Sequence, residues 1–174
     1  FRPAYPDELY QFLAGVSPAS DCAWDCATGN GQAAVGLSRY FDQVIATDAS
    51  SKQLAHAMPA NNIDYQLASA ECTQIADHSI DLVTVAQALH WFDIEAFYRE
   101  VRRVLKDRGV IAIWSYNLLH VSSAIDQIVN YLYADILGDY WPAERRLIEN
   151  NYRDIPFPFR TINAPAFSMQ TQWG

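Results

Sequence analysis

The residues most able to do chemistry begin at Ala23-Trp24-Asp25-Cys26-Ala27-Thr28-Gly29-Asn30-Gly31-Gln32, where an apolar strand runs into a short glycine-containing loop that opens a helix. Gly29 and Gly31 remove Cβ atoms where the chain must turn sharply. The N–H groups of the helix start, Gly31 to Ala33, are expected to face a ligand lying against the backbone. The pattern Gly29-x-Gly31-x-x-Ala34 also satisfies a dinucleotide-binding fingerprint. Asp25 separates the two readings, because an acid just before the glycines repels a pyrophosphate and suits a cationic amino-acid ligand. Asp48 closes the run Val44-Ile45-Ala46-Thr47-Asp48, where a carboxylate can accept both hydroxyls of a ribose. Capping of a helix that starts near Ser51 competes for the same side chain. Ala68-Ser69-Ala70-Glu71 offers a polar edge for an adenine ring, with a plain surface turn as its equal alternative.

A second group of candidates follows the run Ile80-Asp81-Leu82-Val83-Thr84-Val85-Ala86. In an open α/β sheet ligands lie beyond the carboxyl ends of the strands, which directs Gln87, His90 and Trp91 toward the same ligand. His90 is the one histidine placed to act as a base; His56, His78 and His120 are scattered and read as structural or solvated. Cys22 and Cys26 share a strand face without a histidine at ligand spacing, so they read as core thiols and no metal site is expected. Trp114, Tyr116 and Trp141 read as packing residues.

The elements that must position these groups alternate along the chain. Candidate strands are Cys22 to Ala27, Gln43 to Asp48, Ile63 to Ala68, Ile80 to Gln87 and Gly109 to Tyr116. Candidate helices are Gln32 to Tyr40, Ser51 to Ala57 and Ile94 to Lys106, with Gly109 as the stop signal of the last. Strand-helix alternation predicts an α/β fold with a mainly parallel sheet and helices on both faces. Beyond Asn117 comes a helical stretch, Ser122 to Leu137, and then a segment rich in Pro and aromatic residues. One domain over residues 1–174 is expected, with an N-terminal cap segment (1–20), a cofactor-binding core (21–117) and a helical, aromatic lid segment (118–174).

With 174 residues, 51% of them hydrophobic, the chain is long enough for one well-buried core. A formal charge of −8, spread without a basic block, disfavours nucleic acid and anionic membrane as partners. No apolar run reaches the roughly 18 residues of a membrane span, and three cysteines are too few for a disulfide scaffold. A cytoplasmic location is the expectation. Phe at position 1 marks the chain as a candidate fragment.

Taken in order, the D-x-A-T-G-N-G loop, the acid at Asp48, the Ser69-Ala70-Glu71 turn and the Ile80-Asp81-Leu82-Val83 to Leu89-His90-Trp91-Phe92 segment resemble a class I S-adenosylmethionine-dependent methyltransferase of the methyltransferase-11 type. More narrowly, Arg2-Pro3-x-Tyr5-Pro6 and the Tyr140-Trp141-Pro142 to Phe159 tail are similar to the trans-aconitate methyltransferase-like group. The resemblance implies a Rossmann-like sheet of order 3-2-1-4-5, ending in an antiparallel hairpin that is not readable before Gly174, so an incomplete domain is expected. It further implies that Asp25, Ala27, Thr28, Gly29 and Gly31 surround the methionine part of S-adenosylmethionine, that Asp48 and Ala49 meet the ribose, and that Ser69, Ala70 and Glu71 lie beside the adenine, with Gln87 on the strand-four side. Arg2, Tyr5, His90 and Trp91 would hold the methyl acceptor, a small molecule for which the resemblance offers a carboxylic acid, and S-adenosylhomocysteine would be the product. Ala27 stands where the family commonly has Gly, and Ser69 where Asp is frequent. A nicotinamide-dependent oxidoreductase and a cofactor-binding module without turnover remain the alternative functions.

Overall fold

The computed structural model describes residues 4–170, which divide into two compact units: residues 4–114 together with 159–170, and residues 115–158. The first unit opens with helix α1 (Asp7–Val16) and continues β1 (Cys22–Cys26), α2 (Gln32–Leu37), β2 (Gln43–Asp48), α3 (Ser51–Leu54), β3 (Ile63–Leu67), β4 (Ile80–Ala86), α4 (Ile94–Val104) and β5 (Leu105–Trp114). All pairings are parallel and the strand order is β3-β2-β1-β4-β5. Reversal of the strand order between β1 and β4 leaves a crevice at their carboxyl ends, where the glycine loop emerges.

Both faces of the sheet are covered, so the central strands have no solvent side. β4 reads Ile-Asp-Leu-Val-Thr-Val-Ala and is buried almost end to end, the pattern of a strand with helices on both sides. Ala23, Val44, Ala46 and Leu82 point to one face and meet Leu9, Tyr10 and Leu13 of α1 and Ala34 and Leu37 of α2. Trp24 points to the other and meets Phe97 of α4 edge to face, with ring centroids 6.3 Å apart. Its indole N–H donates to Thr47 Oγ1 at 2.8 Å, which satisfies the one polar atom of the largest fully buried side chain.

α1 was not readable in the sequence; the cap segment before residue 20 carries a ten-residue helix whose Tyr10 ring lies on Gly36 of α2. Residues 159–170 return to this unit: Phe159 meets Tyr98 of α4 with centroids 5.4 Å apart, and Phe167 meets Phe12 of α1 at 5.9 Å.

The end of α4 corrects the sequence reading. The helix stops at Val104 rather than Lys106, and β5 starts at Leu105 rather than Gly109. Backbone N–H groups of His78 and Ser79 donate to the carbonyls of Arg103 and Val104, both at 2.9 Å, and so satisfy the helix end before the chain reaches Gly109. Between the register pairs Ile80↔Leu105 and Leu82↔Val110, β5 advances five residues while β4 advances two. This bulge carries Lys106, whose ammonium donates to Asp21 at 2.8 Å and to the wholly buried Asp81 at 3.0 Å. Asp81 Oδ2 also accepts from the N–H groups of Asp21 and Cys22, so this carboxylate is held at the amino end of the sheet, away from the crevice. α2 and α3 are likewise shorter than expected, ending at Leu37 and Leu54.

The second unit contains α5 (Ser123–Asn130), a π-helical turn (Tyr131–Ile136) and α6 (Arg145–Glu149). Within it the Arg145 guanidinium lies 4.3 Å from the Trp141 ring centroid and 4.8 Å from that of Tyr133. The Trp141 indole N–H donates to the Tyr133 carbonyl at 3.0 Å, which joins the π-helical turn to the segment before α6.

Candidate active site

The crevice is a cavity of about 440 Å³, and its wall is assembled from the ends of four strands. β1 and its loop contribute Asp25, Ala27, Thr28 and Gly29; β2 contributes Asp48 and Ala49; the segment after β3 contributes Ser69, Ala70 and Glu71; the exit of β4 contributes Gln87 and Trp91. Tyr5 completes it from the N-terminal segment, its ring edge-on to Trp114 with centroids 5.5 Å apart. Twelve residues proposed from the sequence therefore meet in one cavity. Two do not line it: Gly31 and His90. Arg2 lies outside the described residues.

The glycine loop is held by its own backbone more completely than the sequence implied. Thr28 N–H donates to the Thr47 carbonyl at 2.9 Å, and Gly31 N–H donates to the Thr28 carbonyl at 3.0 Å. The Gly31 amide is thus spent on closing the turn rather than offered to a ligand. Gly29 and Gly31 hold φ values of +60° and +84°, the left-handed region in which a Cβ is costly. Ala27 and Gln87, at the ends of β1 and β4, hold φ of 54° and 60° without being glycine, a strain on the order of 1–2 kcal/mol each. Both line the cavity, and such backbone strain concentrates where a site demands a particular chain path.

Asp25 is wholly buried in the cavity floor. Thr28 Oγ1 donates to Oδ2 at 2.6 Å and Thr84 Oγ1 donates to Oδ1 at 2.8 Å, the second following from the register that pairs Asp25 with Thr84. The Ala34 N–H adds a third bond. Burial pushes the carboxyl up to about 6, against the opposing pull of these three donors. Both Asp25 oxygens are thus already engaged by the protein, beneath the cavity floor.

Asp48 is arranged differently. Its Oδ2 accepts from Gly29 N–H and its Oδ1 from Ser50 N–H, both at 2.8 Å. The cap of α3 is Ser50, whose hydroxyl accepts from Gln53 N–H at 3.4 Å, so the helix-capping role considered for Asp48 belongs to its neighbour. A carboxylate has about four lone-pair sites, and two remain for a diol on the cavity side. Glu71 accepts from the N–H of Asp93, whose own side chain caps α4 through Ala96 N–H, each at 3.1 Å. The wall after β3 is thereby tied to the helix that follows β4.

Trp91 is 62% exposed and so does not anchor the core. Its indole meets the His90 ring at 4.7 Å, and Phe92, which also lines the cavity, meets Phe97 at 4.9 Å. Sequence reasoning missed Asn30, Gln53 and Phe92 as lining residues. Phe92 was within reach as the neighbour of Trp91; Gln53 depends on α3 turning back toward the loop, for which four residues carry no periodicity signal. Among the described residues of the wall there is no Lys, Arg or His, whereas Asp25, Asp48 and Glu71 supply carboxylates, a balance suited to a cationic ligand.

A parallel 3-2-1-4-5 sheet with a glycine loop after β1 and an acid at the end of β2 is the architecture of the class I methyltransferases. Residues 24–113, just over half of the chain, match the family model described as "Methyltransferase domain" (Methyltransf_11), and the chain belongs to that family. It is 39% identical over 173 residues to a protein of Dictyostelium discoideum named as a methyltransferase, covering 97% of this chain and 66% of that protein. It is 28% identical over 167 residues to CRG1 of Saccharomyces cerevisiae, named as an S-adenosylmethionine-dependent methyltransferase, covering 87% of this chain and 56% of that one. The chain therefore spans between about half and two thirds of these relatives' lengths. Among solved structures, a protein from Anaeromyxobacter dehalogenans named as a candidate type II methyltransferase superimposes with a TM-score of 0.93 at 39% identity, covering 99% of this chain and 74% of that one.

Proposed function

We propose that the protein transfers the sulfonium methyl group of S-adenosylmethionine to a small-molecule acceptor, leaving S-adenosylhomocysteine. One observation carries this reading: a single cavity at the crevice joins the glycine loop, the free side of Asp48, the Ser69-Ala70-Glu71 wall and the Gln87 to Trp91 exit. In this reading Asp48 receives the ribose hydroxyls, Ser69 and Ala70 edge the adenine, and the loop around Gly29 lies along the methionine part. Asp25 lowers the energy of the cationic ligand through the floor. The cofactor would supply an electrophilic methyl carbon. The chain's part is to align it, to exclude water and to present the acceptor in line, which is where most of such a rate enhancement arises.

Tyr5 and Trp91 stand at the cavity wall as the acceptor-side aromatic groups, and an electron-rich ring face stabilises a nearby sulfonium. His90 is proposed to orient the acceptor through the Trp91 turn. A carboxylic acid acceptor, already ionised at neutral pH, needs no base; it would draw its hold from Arg2 or from neutral donors such as Gln87. The nicotinamide alternative, which the Gly29-x-Gly31-x-x-Ala34 pattern supports, loses ground because a buried anion under the glycine loop opposes a pyrophosphate and the Gly31 N–H is bonded to the Thr28 carbonyl. The test is mass spectrometry of small-molecule mixtures incubated with the protein and methyl-labelled S-adenosylmethionine. Label appearing in a low-molecular-weight product supports the reading. Cofactor binding without any labelled product would leave a binding module instead.

A further inference from the structure

The glycine loop is braced from β3 by a residue that does not line the cavity. Tyr65 sits on the α2 face of the sheet, paired in register with Ala46, which itself pairs with Asp25. Its hydroxyl occupies the space a Cβ on Gly31 would take, and its Cζ lies 3.0 Å from that position. The hydroxyl donates to the Met58 carbonyl at 2.7 Å. The N–H of Met58 donates in turn to the Asn30 carbonyl at 3.1 Å. Phenol, the Met58 backbone and the Asn30-Gly31 turn thus form a ring of contacts around a loop whose Gly29 and Asn30 line the cavity.

We propose that Tyr65 is a positioning residue for the cofactor loop: its hydroxyl fixes the Met58 carbonyl and so the Met58 backbone, whose N–H fixes the Asn30 carbonyl and with it the path of Gly29 to Gly31. The inference rests on the reading of the cavity as an S-adenosylmethionine site. The physical logic is the immobility of an otherwise strained turn. A glycine can adopt either sign of φ, and each bond that fixes Gly29 and Gly31 beforehand lowers the entropy lost on binding. It also explains why Gly31 cannot gain a side chain even though it lies outside the cavity wall. A Cβ there would strike the phenol, quite apart from the positive φ.

The test is Tyr65→Phe, which keeps the ring on Gly31 and removes only the hydroxyl. Two readouts are taken on the whole chain: the dissociation constant of S-adenosylhomocysteine by calorimetry, and amide hydrogen exchange by NMR. The expected result is a dissociation constant raised about 3- to 10-fold, the effect of one neutral hydrogen bond, with the Met58 amide exchanging several-fold faster and the amides of Val44 and Val83 in the central strands unchanged. An unchanged dissociation constant in the variant overturns the inference. So does exchange that quickens evenly across the central strands, since that is loss of global stability rather than of loop position. If the wild-type chain itself fails to bind S-adenosylhomocysteine, the cofactor reading falls. The Met58 amide then still decides whether Tyr65 holds the loop, and unchanged Met58 exchange overturns that too.

Discussion

Three carboxylates of the cavity behave differently because each is solvated differently by the protein. Asp48 keeps capacity for a ligand while bonding two backbone N–H groups, so its removal would take away the proposed ribose contact and also loosen Gly29 and Ser50. Asp48→Ala is expected to weaken S-adenosylhomocysteine binding by about 1.5–3 kcal/mol, the range for a lost hydrogen bond to a charged group; calorimetry showing equal affinity would remove Asp48 from the site. Asp25 has its carboxyl pushed up to about 6 by burial, above its ordinary 3.8. Between those two values the folded chain holds the proton more tightly than the unfolded chain, so this group's contribution to stability falls as pH rises from about 4 to 6. A cationic ligand pulls in the opposite direction: it favours the ionised carboxyl and releases the proton. Affinity for S-adenosylmethionine is therefore expected to rise as pH increases from 5 to 6.5 and to level off above 7. The titration is read by calorimetry across that range, and a flat profile would place no cation above the floor.

At the scale of elements, α1 and α2 are joined by contact of the Tyr10 ring with Gly36, a position where helix propensity and packing disagree. An alanine in a helix gains up to about 1 kcal/mol over glycine, while forcing a methyl into a filled core costs typically about 1–3 kcal/mol. Because the added Cβ would overlap a 2%-exposed ring, packing wins. Gly36→Ala is expected to destabilise the chain by about 1–2 kcal/mol, measured by urea denaturation, and stabilisation would show that α1 is free to shift. The central strands were legible in the sequence because β2 and β4 are short β-branched runs and β1, though without a β-branched residue, runs directly into the glycine loop. α1 was not legible, since its flanking prolines read as a loop and only Leu9, Tyr10 and Leu13 are buried outright. The α4–β5 junction was misread for a tertiary reason. His78 and Ser79, twenty-five residues before, cap the helix, and Lys106 leaves its apparent helical face to meet Asp21 and Asp81. No local pattern contains that information.

Across the whole first unit, the sheet order converts residues far apart in sequence into one wall, and this is why the ordered motifs were readable while their neighbours were not. Asp25, Asp48, Glu71 and Gln87 each end or follow a strand, so the doubly wound topology brings them to one crevice without further instruction. Gln53 and Asn30 reach the same place only through the path of a four-residue helix and a left-handed turn. His90, one residue from Trp91, falls outside the wall because the three-residue 3-10 turn at Leu89–Trp91 directs adjacent side chains to different sides. An acid-rich cavity in a chain of net charge −8 favours the sulfonium cofactor over its dinucleotide rival. The most direct measurement is a calorimetric titration of the chain with S-adenosylhomocysteine, run beside an identical titration with NADH. The account predicts saturation of one site by S-adenosylhomocysteine and no saturable heat from NADH. Saturation by NADH with none from S-adenosylhomocysteine would contradict it.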